Sequence, residues 1–231
     1  VRLTEERKKL LMEVAVQARK QFEGSPAEEY LVHRGLVPDQ LDKFRLGYVD
    51  DSAPSGFDKY RGTMCVPYLR RGATGNWSVA ALRFRCIRDE CVRNADGSFR
   101  DSKDEVHVGH GKMQSMASDT PRIYNTEAIV RSSDVIAICE GEADTWTAEM
   151  CGIPAVGIQG VNGWKDYFTE LFIGYRTVFV LSDGDEAGRG FAQHVAKLLP
   201  NALEVPMASG MDVNRTHKDM GREALLSKVG M

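Results

Sequence analysis

Val135-Ile-Ala-Ile-Cys139 running into Glu140-Gly141-Glu142-Ala143-Asp144, and Thr177-Val-Phe-Val-Leu181 running into Ser182-Asp183-Gly184-Asp185-Glu186-Ala187-Gly188-Arg189 about forty residues later, decide how this chain is read. Each joins a short, almost wholly apolar run to acids spaced by glycine. A strand buried on both faces loses the polar alternation of a half-exposed one, so these runs predict a parallel sheet covered on both sides. The surrounding pattern agrees: strands predicted at 135–139, 155–158, 177–181 and 203–205 alternate with helices at 142–150, 164–173, 185–199 and 222–229. Such alternation is the mark of an α/β unit.

In an open parallel sheet the ligand site lies outside the carboxyl ends of the strands. Glu140, Asp144, Asp183 and Asp185 fall there, and so does Ser209-Gly210-Met211-Asp212-Val213-Asn214 after the fourth strand. The interspersed glycines are expected to let the chain turn sharply, so that flanking acids face one side. Two bare carboxylates about 4 Å apart repel by roughly 4 kcal/mol at an effective dielectric near 20. Such a cluster therefore implies a cation or shared protons. Hard oxygen donors without His or Cys point to Mg²⁺ or Mn²⁺, and such sites serve phosphoryl transfer.

The order strand-E-G-x-x-D-helix, then strand-D-G-D-x-A-G-helix, closely resembles the TOPRIM signature of DnaG-type primases, topoisomerases, RecR proteins and OLD-type nucleases. By that resemblance Glu140 matches the family's glutamate, Asp144 the aspartate of its first motif, and Asp183 and Asp185 its paired aspartates. Asp212 and Asn214 look like the third acidic motif, which in bacterial primases usually reads D-P-D. The second acid is an amide here, whose oxygen still suits a hard cation. The resemblance thus implies Glu140, Asp183 and Asp185 as catalytic residues, with Asp144, Asp212 and Asn214 as further metal positions.

Upstream, Ala27-Glu-Glu-Tyr-Leu-Val-His-Arg-Gly-Leu36, Phe44-Arg-Leu-Gly-Tyr48 and Gly62-Thr-Met-Cys-Val-Pro-Tyr68 resemble segments of the primase polymerase domain, and the likeness spans about 26 to 215. In that family a basic ridge holds template and nucleotide phosphates; by match it falls to Arg83, Lys112 and Arg122, with Arg85 beside them. The implied activity is primer synthesis: joining ribonucleoside triphosphates on a single-stranded DNA template. A TOPRIM nuclease and a non-catalytic RecR-like mediator are the alternatives. The family's zinc-ribbon module and a P-loop helicase have no counterpart in the sequence, so a replicative helicase or a zinc-module partner is expected from elsewhere.

The residues themselves predict an amphipathic helix over 4–22, a second from Pro26 to about Arg34, a short one from Pro38, and a loop over 50–58. Strands at 64–69 and 78–87 around Arg71-Gly-Ala-Thr-Gly-Asn76 read as a β-hairpin, and 88–121 as long connections with at most short strands. The expected architecture is an α+β N-terminal subdomain, 1–131, followed by an α/β TOPRIM subdomain, 132–231. Charge divides along the same line. Residues 1–131 hold 22 basic and 19 acidic side chains, 132–231 hold 8 and 14, and Tyr60–Arg88 carries six arginines and no carboxylate. That block reads as a phosphate-facing surface.

No apolar run reaches the roughly 18 residues of a membrane span, and the charged start lacks a signal peptide's apolar stretch, so a cytoplasmic protein is expected. A chain that opens on Val1 reads as a fragment or a processed product. The 5 cysteines form no C-x₂-C pair, and Cys86 and Cys91 lack a matching second pair, so reduced structural thiols are expected. His107 and His110 read as surface residues of the long connection.

Overall fold

The computed structural model describes residues 3–231 apart from 73, 118 and 132. Its chain divides into two compact units, one of residues 3–33 and 37–119, the other of 34–36 and 120–231.

The first unit opens with α1 (Glu5–Lys20), capped by Thr4, whose hydroxyl accepts from the Arg7 amide at 3.2 Å. Glu5 and Glu6 at its start and Arg19 and Lys20 at its end complement the helix dipole. A second helix, α2 (Pro26–His33), begins on its proline, and a 3₁₀ turn spans Pro38–Phe44. An antiparallel sheet follows: β1 (Gly47–Val49), β2 (Thr63–Arg71), β3 (Trp77–Cys86) and, beyond the short helix α3 (Asp89–Val92), β4 (Met113–Ser115), in the spatial order β1-β2-β3-β4. The expected hairpin is β2–β3; residue 73 of its turn lies outside the described residues.

Leu11, Val14, Ala15 and Ala18 of α1 pack with Leu82 and Phe84 of β3 and with Phe57 and Tyr60. Gly47 is required here, because a Cβ would stand 2.5 Å from the Ala18 backbone. On β3, Arg83 and Arg85 alternate with Leu82 and Phe84 and so project from the other face.

The second unit adds α4 (Glu127–Val130), β5 (Val135–Cys139), α5 (Glu142–Met150), β6 (Ala155–Gly157), β7 (Thr177–Ser182), α6 (Glu186–Leu198), β8 (Ala202–Pro206), α7 (Val213–Met220) and α8 (Arg222–Val229). Its four strands are all parallel in the order β6-β5-β7-β8, with Ile138 between Val156 and Val180 and Leu181 beside Val205. Ile136, Ile138, Val178 and Val180 fill one face beneath Phe168, Phe172, Phe191 and Val195. Ala137, Cys139, Phe179 and Leu181 fill the other beneath Ala148, Ile153, Val213 and Leu225. Two buried faces explain why β5 and β7 read as unbroken apolar runs.

Two expectations are corrected, and one element is new. The division falls at Asp119/Thr120, because Tyr124 exchanges backbone hydrogen bonds with Gly157 at 2.8 and 3.2 Å and its hydroxyl accepts from Trp146 Nε1 at 2.8 Å. That pairing draws 120–131 into the α/β unit. The stretch 164–173 forms a 3₁₀ helix over Asp166–Leu171, with Trp164 stacked on Phe172 in the core. The third acidic segment starts a further helix, α7, beyond those expected.

Candidate metal centre

Glu140 leaves the end of β5, Asp183 the end of β7, and Asp212 the loop after β8, so the acids lie along the carboxyl edge of the parallel sheet, near enough for their charges to act on Asp183. Each is held by one oxygen. Glu140 Oε1 accepts from the Asp183 amide at 2.8 Å and thereby ties two neighbouring strand ends together. Asp185 caps α6, its Oδ1 accepting from the Gly188 amide at 2.8 Å. Asp212 caps α7 in the same way, with Oδ1 2.5 Å from the Arg215 amide. Capping fixes these carboxylates against the backbone and leaves a second oxygen of each to face other groups.

Asp183 is the exception: its Oδ1 is buried without a hydrogen-bond partner. Burial first, then the charges of Asp144, Glu140, Asp212 and Asp185, push its carboxyl up to about 8. Burial and Asp185 also raise Glu140, against the opposing pull of the Asp183 amide. A half-buried set of oxygen donors that repel one another, one of them lacking a partner, fits a hard divalent cation.

Two glycines make the approach possible, by space rather than by backbone conformation. A Cβ on Gly188 would lie 2.5 Å from the Asp183 carbonyl oxygen and 2.6 Å from Glu140 Oε1, and one on Gly184 would lie 1.8 Å from the Ala208 carbonyl. Neither has positive φ, so the expected sharp-turn role gives way to close approach.

Asn214 departs from its expected place. It is 1% exposed, and its side chain is spent on the scaffold: Oδ1 accepts from Arg34 Nε at 2.6 Å, and Nδ2 donates to the Arg34 carbonyl at 3.1 Å and to Thr147 Oγ1 at 3.0 Å. Its amide donates to Asp144 Oδ1 at 3.1 Å, which links α7 to α5. Arg34 also approaches Asp212, Nη2 to Oδ2 4.0 Å. Arg34 was missed as a member of this edge; its nearest sequence signal was its place in Tyr30-Leu-Val-His-Arg-Gly-Leu36, which says nothing of the contact.

No family model matches the chain. The gene 57 protein of Mycobacterium phage D29 is 46% identical over 170 residues, 74% of this chain and 99% of the phage protein. The chain belongs to the gene 57 protein family. Among solved structures, this family member matches the Aquifex aeolicus primase (zinc binding and RNA polymerase domains) with a TM-score of 0.74 at 18% identity, over 99% of this chain and 62% of that one. It matches the RNA polymerase domain of Mycobacterium tuberculosis primase DnaG with a TM-score of 0.72 at 15% identity, over 98% and 84%. A DnaG primase catalytic domain bound to single-stranded DNA gives 0.71 at 17% identity, over 96% and 77%. The gene 57 family chain thus has the fold of DnaG primase catalytic cores.

The basic residues expected to meet phosphates differ in exposure. In this gene 57 family member Lys112 is exposed, and Arg83 and Arg122 are half-buried. Arg85 is buried: it pairs with Glu105, and its Nη2 donates to the Tyr30 hydroxyl at 2.6 Å. Arg85 is therefore corrected from a phosphate contact to a structural ion pair, since moving it to a ligand would strand a buried carboxylate. Among the described residues no helix is long and apolar enough to cross a membrane.

Proposed function

We propose that the chain is the catalytic core of a DNA primase, joining ribonucleoside triphosphates on a single-stranded DNA template by divalent-metal-dependent nucleotidyl transfer. What supports this reading is the placement of Glu140, Asp183, Asp185 and Asp212 along one sheet edge, in a fold matched to primase cores over nearly the whole chain. Asp183, Asp185 and Asp212 would hold Mg²⁺ or Mn²⁺, which when bound stabilises charge on the triphosphate and the attacking oxygen. Asp144 supports the site through its charge next to Asp183 and its bond to the Asn214 amide. Glu140, with its carboxyl already raised by burial, is suited to assist removal of the 3′-hydroxyl proton.

Arg83, Lys112 and Arg122 are assigned to template and nucleotide phosphates, contacts that make binding salt-sensitive and weak in sequence preference. Support for a DNA partner comes from the matched catalytic domain solved with single-stranded DNA. A replicative helicase or a zinc-module protein remains the expected partner in initiation.

The test is primer synthesis with labelled ribonucleotides, Mg²⁺ and single-stranded DNA. Asp185→Ala is expected to abolish product while circular dichroism stays unchanged. Full synthesis by that variant removes the metal assignment, and shortening of the DNA without RNA product makes the chain a nuclease.

A further inference from the structure

Outside the acidic edge, the long connection 87–112 brings Cys86, Cys91, His107 and His110 together, with one ligand atom from each lying within 4.8 Å of all the others. The two cysteines are free and buried, as expected of reduced structural thiols, but they share one place with the two histidines. We propose that these four side chains form a structural Zn²⁺ site in the first unit.

The donor set is the first argument. Two sulfurs and two imidazoles at one point describe tetrahedral zinc, whose bond lengths place neighbouring ligand atoms about 3.3–3.8 Å apart. His110 Nε2 already lies 3.1 Å from Cys86 Sγ and 3.6 Å from Cys91 Sγ. A contraction of about 1 Å at the widest pair closes the site.

The second argument is the orientation of both rings. A zinc-bound histidine fixes its tautomer by donating from its other nitrogen to a carboxylate or a carbonyl. His110 Nδ1 lies 3.0 Å from the Val108 carbonyl, which directs Nε2 at the thiols. His107 Nε2 lies 3.2 Å from Glu105 Oε2, while His107 Nδ1 is buried with no hydrogen-bond partner. A buried ring nitrogen left over in this way is costly unless something accepts its lone pair.

The third argument is that the backbone builds the site. The Cys86 amide donates to the Lys112 carbonyl at 3.0 Å, and the Val106 amide donates to the Cys91 carbonyl at 3.0 Å. These two bonds set the end of β3 beside the segment after His110, and α3 beside the segment before His107. Glu105 is itself anchored, accepting from the Tyr30 hydroxyl at 2.7 Å and from Arg85. Four residues separate the cysteines, fifteen separate Cys91 from His107 and two separate the histidines. The first two gaps are those of a zinc finger and the last is one residue shorter.

Binding converts two thiols to thiolates: Zn²⁺ displaces two protons to solvent, and the resulting complex with two neutral imidazoles carries no net charge. The ion cross-links both ends of a long connection that has little regular structure. Lys112 follows His110 by two residues, so the ion would also hold the backbone of the lysine assigned to phosphate contact. The metal itself is independent of that assignment.

The experiment is metal analysis of the full chain purified without chelator, followed by replacement with Co²⁺. About one zinc per chain is expected, and the cobalt form should show the intense visible bands and thiolate charge-transfer absorption of a tetrahedral S₂N₂ site. Cys86→Ser and His110→Ala should lose the zinc, Asp183→Asn should keep it, and Glu105→Gln should weaken affinity about 10–100-fold. Chelation should speed proteolysis within 87–112. Background zinc together with a cobalt spectrum lacking thiolate charge transfer overturns the proposal, even where the cysteine variants fail to fold. So does zinc retained in Cys86→Ser but lost in Asp183→Asn, which would place it at the acidic edge, and so does a Cys86–Cys91 disulfide in freshly purified protein.

Discussion

Replacing the Asp183 carboxyl with a neutral amide should make the magnesium-free protein more stable while ending its activity. The Asp183 carboxyl rises from 3.8 in the unfolded chain to about 8 in the folded one. Between those values the folded state holds a proton that the unfolded state has released, so stability falls as pH rises, by at most about 1.4 kcal/mol per pH unit. From pH 3.8 to pH 7 that amounts to about 4 kcal/mol, and partial exposure of the carboxyl reduces it to roughly 2 kcal/mol. Asp183→Asn keeps the shape and abolishes the titration. In magnesium-free buffer at pH 7 the variant should melt roughly 4–8 °C above the parent, with a gap that narrows towards pH 4. Added Mg²⁺ should raise the parent and leave the variant where it was, because only the parent offers the ion a full carboxylate set. Thermal unfolding followed by circular dichroism from pH 5 to pH 8 measures both effects. A variant no more stable than the parent across that range would show that the Asp183 carboxyl is not held against burial and its neighbours' charge, and the case for a cation at the edge would lose its physical basis.

Other outcomes follow from the same contacts. Gly188→Ala drives a methyl into the Asp183 carbonyl and Glu140 Oε1, so it should cost about 1–3 kcal/mol in denaturant unfolding and depress primer synthesis further than that loss of stability explains. Asn214→Asp, which restores the acid common in bacterial primases, should destabilise by about 1–3 kcal/mol in the same assay, because a carboxylate cannot donate to the Arg34 carbonyl or to Thr147. A gain in stability or activity would mean that the two hydrogen bonds donated by the amide are dispensable beside the retained acceptor for Arg34 Nε. Tyr124→Phe leaves Trp146 Nε1 without its acceptor and should cost about 1–3 kcal/mol, read by the loss of native tryptophan fluorescence at lower urea; an unchanged midpoint would count against the anchoring of 120–131 to the α/β unit.

The parallel sheet, and the strand ends at which the acids stand, are legible in the chain alone. Strands buried on both faces must be apolar throughout, and the residue that follows such a strand is fixed in space by the strand, so β5 with Glu140 and β7 with Asp183 could be placed from the chain alone. Whatever depends on partners distant in sequence is visible only in the folded chain. Asn214 looked like a ligand until Arg34, 180 residues away, took its side chain, and Arg85 looked like a surface cation until Glu105 turned it inward. Cys86, Cys91, His107 and His110 became a candidate site only once two backbone hydrogen bonds folded 87–112 back on itself. Periodicity and local motif record what a residue's neighbours along the chain demand; they carry no term for a hydrogen bond or a ligand shared across a loop, and that is where the remainder of this chemistry was hidden.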